Sequence, residues 1–201
     1  IWTRLGRERE AGVALSDLGL LAYLAYDRPA ARRHYEDALV KHRASGDELN
    51  EARTLTRLGW VQYAAAELQE VLDTNQAALA LYRKAGDRPG ESIAFNDLGR
   101  AYLDLGEVPQ ALDAFQQALG LRPPDRDARG AANVLIRTAL VYLNLAEWQQ
   151  ALDALRQALV LARRAHDVRT ECTALVNLGS AYVTLGDTAE GLRHLEPAMK
   201  L

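Results

Sequence analysis

The chain has 201 residues, 49% of them apolar, a formal net charge of −3 and one cysteine, Cys172. Mixed charge without a basic stripe argues against a nucleic-acid partner, and no apolar run approaches the ~20 residues of a membrane-spanning helix. A lone cysteine leaves no disulfide framework and no cysteine-based zinc site.

Gly19, Gly59, Gly99, Ala139 and Gly179 stand forty residues apart, as do Asp47, Asp87, Asp127 and Asp167. A fixed period without inserted or lost residues marks a repeat array, in which each unit touches only its neighbours. Residues 1–6 fall where an earlier second helix would end, with Gly6 matching Gly46. Repeat 1, residues 7–46, pairs two helices across Asp27 to Pro29 and buries Gly19, Ala31, Tyr35 and Ala38. Repeat 2, residues 47–86, departs most, carrying Val71 and Asn75 where alanine and an aromatic stand elsewhere. Asn75 either faces the hairpin interior unpaired, at ~1–3 kcal/mol, or rolls out to solvent. Repeat 3, residues 87–126, shows the period best. Phe95, Leu98, Gly99 and Tyr102, then Leu112, Phe115, Ala118 and Leu119, follow helical spacing, and Gly106 breaks the chain between them. Repeat 4, residues 127–166, is looser, with Thr138, Ala139, Tyr142, Leu155 and Ala158. Repeat 5, residues 167–201, stops short by register, so the chain reads as a stretch of a longer array. Each repeat-opening Asp is placed to cap a helix N-terminus, and the small residues mark where helix axes approach most closely.

The pattern Leu98-Gly99, Tyr102, Gly106, Ala111, Phe115, Ala118 resembles the tetratricopeptide repeat, in a long-helix variety rather than the usual ~34 residues. The fifth repeat matches with Leu178-Gly179, Tyr182, Gly186, Leu195 and Ala198. The resemblance implies an all-α, right-handed superhelical solenoid of antiparallel helix hairpins, about five repeats long. In that family the first helices line a concave groove for a protein or peptide segment. Register then selects Arg57, Trp60, Tyr63, Asn96, Arg100, Asn133, Arg137, Asn144 and Asn177 as groove candidates. Four of the chain's six asparagines lie there, and an amide that both donates and accepts suits a peptide backbone. Apolar neighbours on the stripe are Leu20, Tyr23, Leu24, Leu103, Ile136, Leu140 and Leu143, which either hold a partner or pack inward. One slot alternates in sign, Asp17, Arg57, Asp97, Arg137, then Asn177, as an ion-pair ladder would. The clamp that related arrays use for acidic chaperone tails lacks its cations at Thr173 and Asn177.

No phosphate loop, HExxH, GxSxG or metal-spaced histidine pair is present, so no enzyme activity, no metal and no cofactor are expected. His42 and His166 fall near helix C-termini, where the dipole is negative, and Cys172 reads as a small helix residue. The reading is a cytoplasmic protein- or peptide-binding module, the sensor or scaffold part of a larger bacterial regulatory protein. The abundance of Arg over Lys points to a GC-rich bacterial genome. The alternative is a structural spacer or oligomerisation scaffold with no groove ligand. Exposed apolar ends would favour end-to-end self-association; neither nucleic acid nor membrane is an expected partner.

Overall fold

The computed structural model describes residues 2–201, with side chains from residue 6 onward. Among the described residues there are ten α-helices and no strand: α1 Trp2–Leu24, α2 Arg28–Ser45, α3 Glu48–Ala64, α4 Leu68–Ala85, α5 Arg88–Asp104, α6 Val108–Gly120, α7 Ala128–Asn144, α8 Trp148–Arg164, α9 Val168–Thr184 and α10 Thr188–Ala198. They form two compact units, Ile1–Glu107 and Val108–Leu201. Within the units, successive helices pack as antiparallel neighbours, and consecutive odd helices also touch: α1 with α3, α3 with α5, α7 with α9.

From α2 onward every helix starts twenty residues after the last, so the forty-residue repeat is two equal halves. The residue ahead of each start is acidic: Asp27, Asp47, Glu67, Asp87, Glu107, Asp127, Glu147, Asp167, Asp187. The Asp caps accept the backbone N–H three residues on, as Asp27 does from Ala30 at 3.0 Å and Asp127 from Gly130 at 2.8 Å. Glu67 and Glu147 make no such bond; their longer side chains act through charge on the helix dipole. One residue earlier the chain turns left-handed, at Gly46, Gly86, Gly106 and Gly186, but also at Tyr26, Ala66, Ala146 and His166. Glycine takes that conformation without strain; the other four residues do not.

Register places a break at Gly6, yet α1 runs unbroken from Trp2 to Leu24. The equivalent of the capping Asp is Arg7 here, so nothing at that point captures the N–H groups of a new helix.

Inside the hairpins, one large side chain of the second helix seats against one small residue of the first. A Cβ added at Gly19 would lie 2.6 Å from the Tyr35 ring, and at Gly179 2.5 Å from Leu195. In hairpin 4 the pair is Ala139 and Leu155, both fully buried in a core that includes Leu152, Leu159, Leu175 and Leu178. In hairpin 2 the seat is filled by Asn75, which is 0% exposed. Its Nδ2 donates to the Val71 carbonyl at 3.0 Å, while Oδ1 has no partner. The interior reading of Asn75 is therefore the one the fold adopts.

Joints between hairpins show the same size matching. A Cβ on Gly90 would fall 2.3 Å from Tyr82 and one on Gly130 2.0 Å from Arg122, whereas the small Ala162 occupies the equivalent slot near the larger Thr170. His42 holds the second-helix side of that slot in hairpin 1 and presses on Gly12 of its own hairpin. It is fully buried with neither ring nitrogen bonded, rather than turned to the helix end. Burial pulls its pKa below the ordinary imidazole value, against the opposing pull of Asp47 and Glu51. Leu58, Leu98 and Leu178 are buried, but their counterpart on α1, Leu18, is 47% exposed, and Leu21 beside it 63%.

Candidate binding surfaces

The predicted stripe lies on the odd helices and behaves differently in the two units. In the first unit its side chains are bound to one another across α1, α3 and α5. Arg57 Nη1 donates to Ser16 Oγ at 3.0 Å and lies 3.5 Å from Asp17. Trp60 donates its indole N–H to Asp97 at 3.0 Å and sits 6.2 Å from the Tyr23 ring. The Arg100 guanidinium stacks 3.6 Å above the Tyr63 ring, and Tyr63 donates its hydroxyl to Asp104. Burial and that hydrogen bond push the Tyr63 pKa up. Arg57, Trp60, Tyr63 and Arg100 are all half-buried. The Asp17–Arg57 rung of the ladder is present, and Asp97 accepts from Trp60 and lies 4.0 Å from Arg100. Asn96 donates weakly to Asp97 at 3.4 Å, and its Oδ1 is buried without a partner.

In the second unit the asparagines and threonines of the stripe on α7 and α9 bond within their own helices. Asn133 and Asn177 each donate to the carbonyl four residues back in their own helix, Arg129 at 3.0 Å and Thr173 at 2.9 Å. Thr173 and Thr184 do the same. Asn144 is exposed at the end of α7. Between these polar groups Leu140, Val176 and Val183 face solvent. Ile136, expected on the stripe, is instead core, as the buried Ser16 and Thr56 of the same slot are in the first unit, whereas Val176 in that slot on α9 is exposed. Leu143 packs on the core edge. Register alone could not separate these cases; Leu140, Val176 and Val183, all on the stripe by register, are the apolar residues this surface presents.

Among the described residues no three His, Cys, Asp or Glu side chains come together to hold a metal. Among the described residues no helix is long and apolar enough to cross a membrane. Cys172 is half-buried, its Sγ 3.7 Å from the Ala198 carbonyl.

The tetratricopeptide repeat family model matches residues 72–123, spanning most of α4, all of α5 and α6. Over these residues the chain is similar to the tetratricopeptide repeat. The array is similar in fold to BtubC (BKLC) from P. vanneervenii, with a TM-score of 0.81 at 16% identity over 98% of this chain and 88% of that one. It is also similar to aspartyl phosphate phosphatase F from Bacillus subtilis, TM-score 0.83, 14% identity, 96% of this chain and 51% of that one. A Rap protein complexed with Competence and Sporulation Factor gives TM-score 0.81 and 16% identity over 92% of this chain and 52% of that one. The chain thus spans about half the length of these last two proteins. None of the curated proteins matches it in sequence.

Proposed function

We propose that the array is a protein- or peptide-binding module and that the α7/α9 surface of the second unit receives the ligand. What carries this reading is the state of Asn133 and Asn177: exposed-side amides parked on their own helix beside solvent-facing Leu140, Val176 and Val183. An amide parked on a helix carbonyl exchanges that bond for a peptide backbone group at little net cost, and the aliphatic side chains supply the apolar contact that binding needs. A Rap protein of this fold was solved with Competence and Sporulation Factor, which is in keeping with the reading. Asn96, Arg137 and Asn144 belong to the proposed contact set in their own units. Within a larger, cytoplasmic bacterial signalling protein the module would act as sensor or scaffold, without catalysis of its own. Exposed Leu18 and Leu21 on α1 offer a surface for self-association.

The cross-linked stripe of the first unit favours a second reading for that unit alone: Arg57, Trp60, Tyr63 and Arg100 brace α1, α3 and α5 and hold no ligand. Peptides enriched from a random display library would be titrated by fluorescence anisotropy against the wild type, an Asn133→Ala/Asn177→Ala variant and Val176→Glu. The expected result is a loss of about ten-fold or more in each variant, as for residues at the centre of a binding surface. Full affinity in Val176→Glu would refute the proposal.

A further inference from the structure

The joint between α6 and α7 breaks a rule that three other joints keep. At those joints an Arg near the end of the second helix reaches a Glu in the first turn of the next: Arg43–Glu51 at 2.7 Å, Arg83–Glu91 at 3.8 Å, Arg163–Glu171 at 2.8 Å. The Arg83 guanidinium also caps the Phe95 ring, 5.3 Å from its centroid. In the same register this joint carries Pro123 and Ala131, which cannot form the pair. Pro123 and Pro124 also cut the helix short, because proline lacks an N–H and clashes with the preceding turn. Thus α6 has 13 residues where α4 has 18 and α8 has 17.

With the last turn and the arginine both missing, a cavity of about 540 Å³ opens over Leu135, the register mate of Phe95. Leu119, Pro124, Val160, Leu161, Gln157 and Arg156 line it. Such a volume lies within the ~300–1,000 Å³ range of small-molecule sites, which pair an apolar lining with a few placed polar groups. Arg156 is the placed group. The slot holds Glu36, Gln76, Gln116 and Glu196 in the other hairpins, so a cation occurs here alone. It is fixed on two sides, by Asp153 at 3.1 Å and by the Tyr182 hydroxyl, and Tyr182 is itself stacked on His194 at 5.5 Å. Two anchors leave donors of the five-donor guanidinium for an incoming acceptor. Arg164, bonded to the Asp125 carbonyl at 3.0 Å, adds positive charge beside Pro124.

We propose that this pocket binds a small amphipathic carboxylate, its apolar body on Leu119, Leu135 and Val160 and its carboxyl group on Arg156. The site lies on the even-helix side of the second unit and is independent of the α7/α9 surface. The test uses the whole chain and two probes of equal length, decanoate and decanol, in isothermal titration below micelle-forming concentrations. Val160 is 65% exposed, so Val160→Trp fills the pocket without touching the core, and circular dichroism checks the fold of each variant. One decanoate per chain is expected, about ten-fold weaker or more in Arg156→Gln and for decanol, since one charge-assisted contact is lost in each. Val160→Trp should abolish binding, while Arg156→Lys should recover part of it. No saturable decanoate binding, binding unchanged by Val160→Trp, or equal affinity for decanol would overturn the proposal. So would a Val160-dependent site that takes an acidic amphipathic peptide but no decanoate.

Discussion

Asn75 offers the sharpest test of the packing argument. It occupies the slot that holds Tyr35, Leu155 and Leu195 in other hairpins and is wholly buried against Gly59, whose added Cβ would sit 2.8 Å from its Nδ2. Its Oδ1 has no partner, a penalty of ~1–3 kcal/mol. Its one hydrogen bond, to the Val71 carbonyl, returns ~0.5–1.5 kcal/mol. Asn75→Leu removes both and adds apolar burial of the kind Leu155 already makes, so a gain of about 1–2 kcal/mol is expected. At ~2–4 °C per kcal/mol for a chain of this length, the melting temperature should rise by roughly 2–8 °C. Trp60 lies in the same hairpin, so its fluorescence in a urea titration reports the region directly. Asn75→Ala should gain less, because it leaves a cavity. The reciprocal Leu155→Asn should lose about 3 kcal/mol or more, combining lost burial with a new orphan amide. A less stable Asn75→Leu, or an Asn75→Ala that matches it, would refute the reasoning.

Ala66→Gly and Ala146→Gly should each stabilise by about 0.5–1 kcal/mol, the left-handed strain relieved less the glycine entropy, as read by thermal melts; the same change at an in-helix alanine should destabilise. Gly19→Leu should cost about 1–3 kcal/mol by overpacking the Tyr35 ring, measured by urea denaturation. His42 is neutral when folded and its pKa is lowered. The unfolded chain therefore binds the extra proton first, and stability, full above about pH 6.5, should fall as pH drops below it; His42→Leu should flatten that limb. Asp47 acts at lower pH: burial would raise its pKa, but hydrogen bonds from Asn50 and the charge of Arg9 lower it overall. Its contribution should persist above the ordinary carboxylate range and disappear as pH falls through its folded value, so Asp47→Ala should flatten the acid limb only.

The helices were legible because apolar spacing, acidic caps and left-handed turns are local, and each hairpin end carries its own Asp or Gly. The twenty-residue half-period was harder to see, since Glu67, Glu107 and Glu147 replace Asp and Ala66 and Ala146 replace Gly. The stripe was legible as a set of positions but not as a state. Trp60 and Tyr63 looked like anchors for a partner, yet Asp97, Asp104 and Arg100 on α5 already engage them, some forty residues away in sequence. Ile136 looked like its groove neighbours and proved to be core.

Alone, the order of residues determined that this chain forms capped helices paired by a small residue facing a large one, because those preferences act over a few bonds or one repeat. Which polar side chains are spent on neighbours and which stay open was decided only in three dimensions, where α1, α3 and α5 bring Trp60, Tyr63 and Arg100 onto charges and rings while Asn133 and Asn177 bond only within their own helices. The pocket over Leu135 belongs to the second kind: Pro123 and Ala131 are visible in the sequence, but the space they leave depends on how α6, α7 and α8 close around it.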